Sequence, residues 1–414
     1  MSLVKDPDLA PTGEIKMAWA RENMPVLARI FRRRTARQTF QSHRVAICLH
    51  LEAKTAVLAE DLHKAGAQVA ITGSNPLSTQ DDVAAALSKT GVRVYAWRGV
   101  NEKDHKLNLK RVLEIKPDII IDDGAELSIA AHQQSPTSLS KILGACEETT
   151  TGVMRLKALE RENRLRFPVI AVNDAPTKYL FDSRYGTGQS GLEGIMRATN
   201  LLLAGRNVVI AGYGWVGRGV ALRAKGMGSK VIVTEVNPVR ALEALMEGCD
   251  VMPMEEAAKI GDLFITATGG TDIITENHFQ RMRDKAILCN VGHFDVEVKV
   301  RDLEKIAKKK RQVRPEVTEY TIGGGKRLYL LSQGRLVNLA AADGHPAEVM
   351  DMSFADQALS AEYLLTEGRK LQPRVIAVPT EIDLEVANHR LEAFGRKIDR
   401  LSPSQKSYLQ SWRL

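Results

Sequence analysis

Histidine, aspartate and lysine side chains lie where several predicted strands of this 414-residue chain end. His50 ends the apolar run VAICLH, Asp122 and Asp123 end IIIDD, and Lys178 and Asp182 lie within NDAPTKYLFDSRYG. Imidazole, carboxylate and amine groups are the side chains that act as general acids and bases in enzymes. These residue types therefore suit proton transfer to and from a small substrate.

Each of these residues also has an ordinary structural explanation. His50 can be a hydrogen-bonded histidine at a strand end, and Asp122 can be a helix cap. Lys178 can be a solvated side chain, and Glu147, which opens EETTTG together with Glu148, can be a surface charge. Their shared position at loop ends, facing a cleft between two predicted α/β domains, favours a functional site.

A glycine-rich turn indicates a bound dinucleotide. In VVIAGYGWVGRG (208–219), Gly212, Gly214 and Gly217 have G-x-G-x-x-G spacing between an apolar run and a predicted helix. Such glycines permit a tight turn and bring backbone amides close to a pyrophosphate at a helix N-terminus. Glu235, which ends VIVTE, can accept both ribose hydroxyls and would repel a 2′-phosphate, so NAD is favoured over NADP. A glycine turn used only for packing is the alternative.

Two further segments end predicted strands at the same edge of that second sheet. They are ATGG (267–270) and CNVGHF (289–294). Ligands bind at this edge in doubly wound folds. His293 is therefore a candidate residue near the nicotinamide.

Alternating strand and helix patterns position all of these residues. In the first half, strands are predicted at 43–51, 68–73, 92–97 and 117–124, with helices at 54–66 and 79–91. The alternation restarts after 167–174 with NVVIAG, KVIVTE, DLFITATG and AILCNVG. This order predicts an α/β fold of two doubly wound parallel-sheet domains with a hinge at 180–191. From about Pro373 the chain is charged and helical without a clear sheet pattern, which predicts docking on a neighbour.

Composition narrows the class of protein. The formal net charge is +8, but the basic residues cluster at 30–38 and 305–314 at helical spacing, which indicates a solvated helix face or a subunit contact rather than nucleic-acid binding. No C-x-x-C pair occurs among the four cysteines, so neither a metal site nor a disulfide framework is expected. With no apparent signal peptide or membrane span, a reduced cytoplasmic location is expected.

Eight segments together resemble the successive signatures of the S-adenosyl-L-homocysteine hydrolase family. In chain order, from about residue 12 to about residue 365, they are CLHLEAKTAVL, NPLSTQDDVAAAL, DDGAEL, EETTTGV, NDAPTKYLFDSRYG, AGYGWVGRG, CNVGHFDVE and GRLVNLAAADGHP. The resemblance implies a homotetramer with tightly held NAD and a substrate domain split around a Rossmann domain. The implied division is a first substrate part at 1–183, the NAD domain at 184–345, a returning substrate part at 346–374 and a helical oligomerisation segment at 375–414.

The implied chemistry is a hydrolysis that uses a redox cofactor transiently. Oxidation of the substrate's 3′ hydroxyl by NAD acidifies the 4′ proton, and removal of that proton expels homocysteine by elimination. Water then adds and the ketone is reduced again, so the net reaction is reversible hydrolysis to adenosine and L-homocysteine. A 2-hydroxyacid-type dehydrogenase and a catalytically silent NAD-binding regulator are the alternatives from other classes.

Residue roles follow from the resemblance position by position. Lys178 and Asp182 match the pair beside the 3′ hydroxyl, and a basic Lys178 would need a pKa depressed by desolvation. The remaining catalytic matches are His50, Asp123 and His293. The substrate-binding matches are Glu52, Thr55, Gln80, Glu148 and His345. The cofactor-binding matches are Thr149, Thr150, Thr151, Ser183, Gly212, Gly214, Trp215, Val216, Gly217, Glu235, Asn290 and Asn338.

Several positions depart from the common form of the family. Asn is usual at Ser183, Cys at Thr187 and Asp at Trp215, so the geometry around the nicotinamide and the retention of the cofactor are expected to differ. The sequence ends at SYLQSWRL without the usual tail whose Lys and Tyr reach a neighbouring subunit's NAD, which predicts weaker NAD retention. Thr is usual at Glu52 and Glu at Lys54, which leaves S-inosyl-L-homocysteine open as an alternative to the adenosyl substrate.

Overall fold

Two sheets with apolar cores on both faces form the framework of this computed structural model, which describes residues 2–412. Strand β1 (Arg44–Leu49) illustrates the pattern, because its residues are nearly all apolar. Val45 and Ile47 pack into one core cluster, while Ala46 and Cys48 pack into another on the opposite face. A strand buried on both faces is typical of a parallel sheet covered by helices.

The first sheet begins with six parallel strands in the order β6-β5-β4-β1-β2-β3. After β1 they are β2 (Gln68–Gly73), β3 (Arg93–Val94), β4 (Ile119–Asp122), β5 (Gly144–Glu147) and β6 (Val169–Ala171). The strand order reverses between β1 and β4, where Cys48 is paired with Asp122. In doubly wound sheets ligands bind beyond the carboxyl ends at such a point. The residues that follow these two strands, His50 and Asp123, are therefore placed at the crevice.

The second sheet has eight strands in the order β12-β13-β14-β11-β10-β7-β8-β9. They are β7 (Asn207–Ala211), β8 (Lys230–Thr234), β9 (Asp250–Val251), β10 (Leu263–Thr266), β11 (Ala286–Asn290), β12 (Lys309–Arg314), β13 (Val317–Thr321) and β14 (Arg327–Leu331). Strands β12 to β14 are antiparallel to one another and the other pairs are parallel. The order reverses between β7 and β10, which places the turn after Ala211 at the second crevice.

Helices connect the strands of both sheets. In the first half they are α1 (Ala10–Glu22), α2 (Pro25–Arg37), α3 (Ala53–Lys64), α4 (Asp81–Ser88), α5 (Glu102–Leu113), α6 (Glu126–His132), α7 (Pro136–Leu139), α8 (Thr150–Arg161) and α9 (Pro176–Lys178). In the second half they are α10 (Thr187–Thr199), α11 (Trp215–Gly226), α12 (Pro238–Met246), α13 (Met254–Ala257), α14 (Glu276–Arg281), α15 (Val300–Ile306), α16 (Val337–Ala340), α17 (Ala347–Glu367), α18 (Thr380–Ala393) and α19 (Pro403–Gln410). None of the helices within 2–412 has the length and apolar character to cross a membrane.

The chain returns to the first sheet through α17. Its buried Asp351 accepts hydrogen bonds from the backbone N–H groups of Val26 and Leu27, the free amides at the N-terminus of α2. Strand β15 (Val375–Ala377) then adds to the edge of β6, and α18 packs on α17 and α2. The prediction that the chain beyond Pro373 has no strand is therefore wrong, because a three-residue edge strand is too short to produce a recognisable alternation.

One other expectation about local structure needs correction. The basic run at 305–314 is only briefly helical, and Lys309–Arg314 forms the exposed edge strand β12 instead of a helix face. Lysine and arginine on an edge strand oppose pairing with another chain, which accounts for the charge. The segment 180–191, predicted as a hinge, is helical, because Tyr179–Gly186 forms a π-helical turn that continues into α10, and its role as a hinge stays a prediction.

Candidate functional site

A cavity of about 1300 Å³ lies where the carboxyl ends of the two sheets face each other. Its wall includes most of the residues that the sequence nominates, namely His50, Glu52, Thr55, Asp123, Glu148, Thr149, Thr150, Thr151, Lys178, Asp182, Ser183, Gly212, Gly214, Trp215, Val216, Glu235, His293, Asn338 and His345. The volume exceeds the usual range for one drug-sized ligand. The cavity therefore has room for a dinucleotide and a nucleoside together.

Three nominated residues do not line this cavity. The side-chain oxygen of Gln80 accepts a hydrogen bond from Lys16. Asn290 binds its own loop, because its amide nitrogen donates to the carbonyls of Gly292 and Phe294. A Cβ on Gly217 would lie 2.0 Å from the carbonyl oxygen of Gly212, so this glycine permits α11 to approach the turn. Asn290 and Gly217 therefore shape the site, and Gln80 lies off the cavity wall, so the substrate contact expected of it stays a prediction.

The first proton-transfer group joins His50, Asp123 and His293. The Nε2 atom of His50 is 3.0 Å from Oδ2 of Asp123, and Nδ1 of His293 is 3.6 Å from Oδ1. Burial lowers the pKa of His50 to about 4 despite the nearby Asp123 carboxylate. The His50 imidazole is therefore neutral at pH 7.

Hydrogen bonding around His50 indicates where its protons lie. The Ser74 hydroxyl donates to Asp123, and the Ser78 hydroxyl donates to the carbonyl of Asn75. Both hydroxyls also approach Nδ1 of His50, at 3.2 and 2.8 Å, so we assign the proton of a neutral imidazole to Nδ1. Nε2, 3.0 Å from Asp123, is then the atom that can take up a proton beside the carboxylate and give it up again.

A glycine allows the second histidine to reach this group. Gly124 has a φ of +81°, and a Cβ there would lie 2.3 Å from Nε2 of His293. That Nε2 atom is buried and has no hydrogen-bond partner among the described residues. The ligand atoms of His50, Asp123 and His293 lie within 4.8 Å of one another, a spacing that a metal ion could also use. The expected absence of a metal stays a prediction.

The second group surrounds Lys178, whose side chain is almost fully buried. Its Nζ atom lies 3.4 Å from Asp182 and 3.7 Å from Glu148. Burial alone lowers the pKa of Lys178, but the carboxylates of Asp182 and Glu148 outweigh it, so the pKa is raised above its usual value. The expectation of a depressed pKa is wrong for this arrangement, because desolvation does not act alone. In this state Lys178 is an ammonium ion.

The carboxylates beside Lys178 differ in protonation. For Asp182, burial is outweighed by the charge of Lys178 and by His345, so the pKa lies well below its usual range. For Glu148, burial dominates and raises the pKa to about 7. Glu148 therefore changes its charge near neutral pH, whereas Asp182 stays ionised.

Helix α17 supplies two polar residues that the sequence analysis missed. Gln357 donates to Oε2 of Glu148 at 2.6 Å, and Ser353 donates to Oδ2 of Asp182 at 3.1 Å. Oε1 of Glu148 has no hydrogen-bond partner among the described residues and remains as an acceptor at the cavity wall. The available signal was the i, i+4 spacing of Ser353 and Gln357, which places two polar side chains on one face of α17.

Two acidic residues discussed in the sequence analysis, Glu147 and Asp122, have structural roles. Glu147 is fully buried rather than a surface charge, and it accepts hydrogen bonds from the backbone N–H groups of Gly124, Ala125 and Thr149. Asp122 accepts from backbone N–H groups in the first turns of α6 and from that of Asp123. Together they fix the loop that carries Asp123.

The second crevice fits a dinucleotide. Gly212 has a φ of +92°, and a Cβ on Gly214 would meet no atom closer than 3.8 Å, so this face of the turn is open. Glu235 accepts hydrogen bonds from the backbone N–H groups of Tyr213, Val236 and Asn237, which hold its carboxylate at the cavity wall. Oδ1 of Asn338 is buried without a partner among the described residues. An open turn, a fixed carboxylate and an unsatisfied amide suit the amides, hydroxyls and phosphates of NAD.

The unusual residues of the HLEAKTA segment form a buried pair. Oε2 of Glu52 lies 2.5 Å from Nζ of Lys54, and the same ammonium donates to the carbonyl of Asp343 at 2.8 Å. Glu52 lines the cavity, together with Thr55, whose N–H and hydroxyl donate to Oε1 of Glu52. Lys54 does not line the cavity. The group that this pair presents to the cavity is therefore the Glu52 carboxylate, which already accepts hydrogen bonds from the backbone N–H groups of Lys54 and Thr55, the Thr55 hydroxyl and the Lys54 ammonium.

Ser183 and Thr187, which differ from the common form of the family, lie next to the Lys178 group. The Thr187 hydroxyl lies 3.0 Å from Nε2 of His345, whose Nδ1 lies 3.4 Å from Asp182. Ser183 lies on the cavity wall next to Asp182. Thr187 therefore orients His345, a contact that a cysteine would make more weakly.

Comparison with known proteins gives matches over nearly the whole chain. Residues 2–138 match the family model described as S-adenosyl-L-homocysteine hydrolase, and residues 183–344 match the NAD binding domain of S-adenosyl-L-homocysteine hydrolase. The S-inosyl-L-homocysteine hydrolase of Methanocaldococcus jannaschii is 58% identical over 410 residues, or 99% of each chain. The adenosylhomocysteinase of Archaeoglobus fulgidus is 56% identical over 401 residues, or 97% of this chain and 99% of that one. The adenosylhomocysteinase of Pyrococcus abyssi is 56% identical over 409 residues, or 99% of this chain and 97% of that one.

Proposed function

Because the chain belongs to the S-adenosyl-L-homocysteine hydrolase family, we propose that it hydrolyses S-adenosyl-L-homocysteine reversibly to adenosine and L-homocysteine, with NAD bound at the Gly212–Gly217 turn. The observation that carries this proposal is the presence of two proton-transfer groups, around Lys178 and around His50, on the wall of one cavity that also has a dinucleotide turn. A dehydrogenase of hydroxy acids would have no use for the second group. A silent regulator would have no use for either.

NAD, when bound, supplies a reversible oxidation of the substrate's 3′ hydroxyl. At that end of the ribose, Oε1 of Glu148 accepts a hydrogen bond from a hydroxyl group, since Gln357 already occupies Oε2. Lys178 orients the 3′ oxygen as an ammonium donor and becomes the base only after losing its proton. Asp182, kept ionised beside Lys178, stabilises positive charge on the lysine whenever it takes up a proton.

The His50 group acts at the 5′ carbon. Nε2 of His50 first takes up a proton beside the Asp123 carboxylate, and this proton then goes to the departing homocysteine sulfur. The pair, now lacking that proton, takes one from the water that adds in its place. Nδ1 of His293 lies 3.6 Å from the other oxygen of the same carboxylate, beyond hydrogen-bond distance. One pair thus serves both the elimination and the addition.

The purine is the part of the substrate with two candidates. An acceptor carboxylate on Glu52 suits the amine of adenine, because Lys54 lies behind it and off the cavity wall. Hypoxanthine would present a ring N–H to Glu52 and an oxygen that needs a donor. The Lys54 ammonium could meet this oxygen by turning from Glu52 and Asp343 toward the cavity, which makes the S-inosyl thioether the second candidate.

Comparison of kcat/KM for the two thioethers distinguishes the candidates. We expect a higher value for the adenosyl compound, because an unpaired buried oxygen of hypoxanthine would weaken its transition state. Lys54→Met, which keeps the length of the side chain and removes its donors, should lower any inosyl activity more than the adenosyl activity. A tenfold or larger preference of the wild type for the inosyl thioether would contradict the adenosyl assignment and leave the mechanism unchanged.

The pH dependence of kcat/KM should show the ionisation of Glu148. Its pKa of about 7 means that below this pH the neutral acid dominates and is a poorer acceptor for ribose hydroxyls. We therefore expect kcat/KM to rise with pH through about 7 in the wild type. Glu148→Gln should lower kcat/KM by roughly tenfold to a hundredfold and remove the inflection near pH 7, leaving the steady rise that deprotonation of Lys178 causes. If the pH dependence of kcat/KM near pH 7 is unchanged in the variant, the ionisation belongs to another group.

Self-association as a homotetramer in the cytoplasm is the expected setting of this activity. In support, α12 exposes Val239, Leu242 and Met246, and α19 exposes Tyr408 and Leu409. Exposed apolar groups of this density on helices commonly mark contacts between proteins. Sedimentation velocity on the holoenzyme should give a mass near four times 45.7 kDa, and a monomer would contradict the tetramer.

A further inference from the structure

Two stacked aromatic rings join the dinucleotide turn to the turn that carries Lys178. Trp215 is the first residue of α11, and its indole stacks on the ring of Tyr179 with centroids 5.1 Å apart and an interplanar angle of 27°. Tyr179 directly follows Lys178, and both aromatic residues line the cavity. A shift of either turn therefore changes the distance or angle between the two stacked rings.

Close backbone packing makes this connection stiff. A Cβ on Gly219 would lie 1.8 Å from the carbonyl oxygen of Arg184, so α11 and the π-helical turn are in direct backbone contact. On α11 itself, the guanidinium of Arg218 lies 4.7 Å from the centre of the Trp215 ring and forms an ion pair with Glu243. The indole is thus held by a ring from one turn and a cation from its own helix.

We infer from this geometry that Tyr179 and Trp215 form an aromatic latch that retains NAD and couples its retention to the position of Lys178. The inference rests on the proposed function, because it takes NAD to bind at the Gly212–Gly217 turn. A pyrophosphate binds at the N-terminus of a helix, and Trp215 is the residue at that end of α11. The indole cannot swing away from that position without breaking its stack on Tyr179.

The coupling works in both directions. A ligand that fixes the Lys178 turn also fixes Tyr179, and through the stack it fixes Trp215. By thermodynamic reciprocity, a nucleoside at the Lys178 end must then strengthen NAD binding by the same factor as NAD strengthens nucleoside binding. Aromatic residues that filled space without this connection would give no such mutual effect.

The rate of NAD release from the holoenzyme tests the latch directly. Release is followed by rapid desalting and absorbance of the separated dinucleotide, for the wild type, Trp215→Ala, Tyr179→Ala and the double variant. Each single variant should release NAD about five to ten times faster, as expected for loss of one aromatic pair. The double variant should be no faster than the singles, because both remove the same contact.

Two further variants keep this result interpretable. Trp215→Phe retains a ring for stacking and should stay within about threefold of the wild type. Leu222→Ala changes an exposed residue of the same helix and should not alter release. Unchanged release in Trp215→Ala, or a double variant whose acceleration equals the product of the single effects, would overturn the latch.

The effect of a nucleoside on NAD release tests the coupling. The probe is a 3′-deoxynucleoside of the preferred purine, which has no 3′ hydroxyl to oxidise. It should slow release from the wild type about fivefold or more and have little effect on Trp215→Ala or Tyr179→Ala. No slowing in the wild type, or equal slowing in the variants, would overturn the coupling. Failure of the wild type to cleave either thioether would instead contradict the proposed function, since these release rates do not depend on turnover.

Discussion

Lys178→Ala should slow reduction of the bound cofactor by substrate by roughly two to four orders of magnitude, the usual range for loss of a general base. Lys178 is the one amine within 4 Å of both Asp182 and Glu148 among the described ion pairs. Without it, the groups nearest this position are the carboxylates of Asp182 and Glu148, and a carboxylate is a weaker base than an amine. The measurement is single-turnover absorbance at the band of the reduced cofactor after mixing holoenzyme with substrate.

The raised pKa of Lys178 gives this prediction a second part. Because the lysine is an ammonium ion in the substrate-free enzyme, the reactive neutral form is scarce at pH 7 and its share grows as the pH rises. The rate of cofactor reduction should therefore increase with pH in the wild type. Lys178→Arg keeps the charge beside Asp182 and should be as slow as Lys178→Ala at every pH, because arginine does not deprotonate.

A control and an opposing result complete the test. Lys106→Ala removes a lysine from an exposed ion pair on α5 and should leave the rate unchanged. Near-normal cofactor reduction in Lys178→Ala, in protein that still binds NAD, would show that another group accepts the proton.

His50→Ala should have a large effect on a different step. The variant should still reduce its bound cofactor on mixing with substrate, but release of homocysteine should slow by roughly two to four orders of magnitude. The reason is that Nε2 of His50, beside Asp123 and away from Lys178, is the atom that carries the proton to the departing sulfur. Cofactor absorbance and a thiol-reactive dye, followed in parallel, separate the two events.

A matched variant tests the position of that proton. Ser78→Ala removes one partner of Nδ1 while Ser74 remains, so its effect on thiol release should be much smaller than that of His50→Ala. If His50→Ala fails to reduce the cofactor at all, the assignment of this residue to the 5′ side is wrong.

The features that sequence could predict are those set by local residue patterns. The apolar run at 208–211 and the three glycines after it identify a strand, a turn and a helix start, and the structure has β7 ending at Ala211 and α11 beginning at Trp215. The resemblance supplied most of the residues that the structure brings to one cavity. Three-residue β15 and the exposed strand β12 were missed, since tertiary pairing decides short or fully polar strands.

The features that sequence could not predict depend on which residues become neighbours in three dimensions. The pKa of Lys178 is set by the competition of burial with two carboxylates, and only distances decide that competition. Gln357 and Ser353 lie far from the motif segments in the chain, so their contacts with Glu148 and Asp182 follow from how α17 packs. Gln80 belongs to a matching segment, but its side chain meets Lys16 instead of the cavity.

The ratio of free thiol to reduced cofactor during turnover tests the central claim most directly. Holoenzyme is given an excess of S-adenosyl-L-homocysteine, with adenosine removed by a coupling enzyme, while thiol and the reduced-cofactor absorbance are recorded together. The transient-oxidation mechanism predicts many equivalents of homocysteine per subunit, with reduced cofactor never exceeding one equivalent. Reduced cofactor that accumulates in step with substrate consumed, or the absence of thiol, would contradict it.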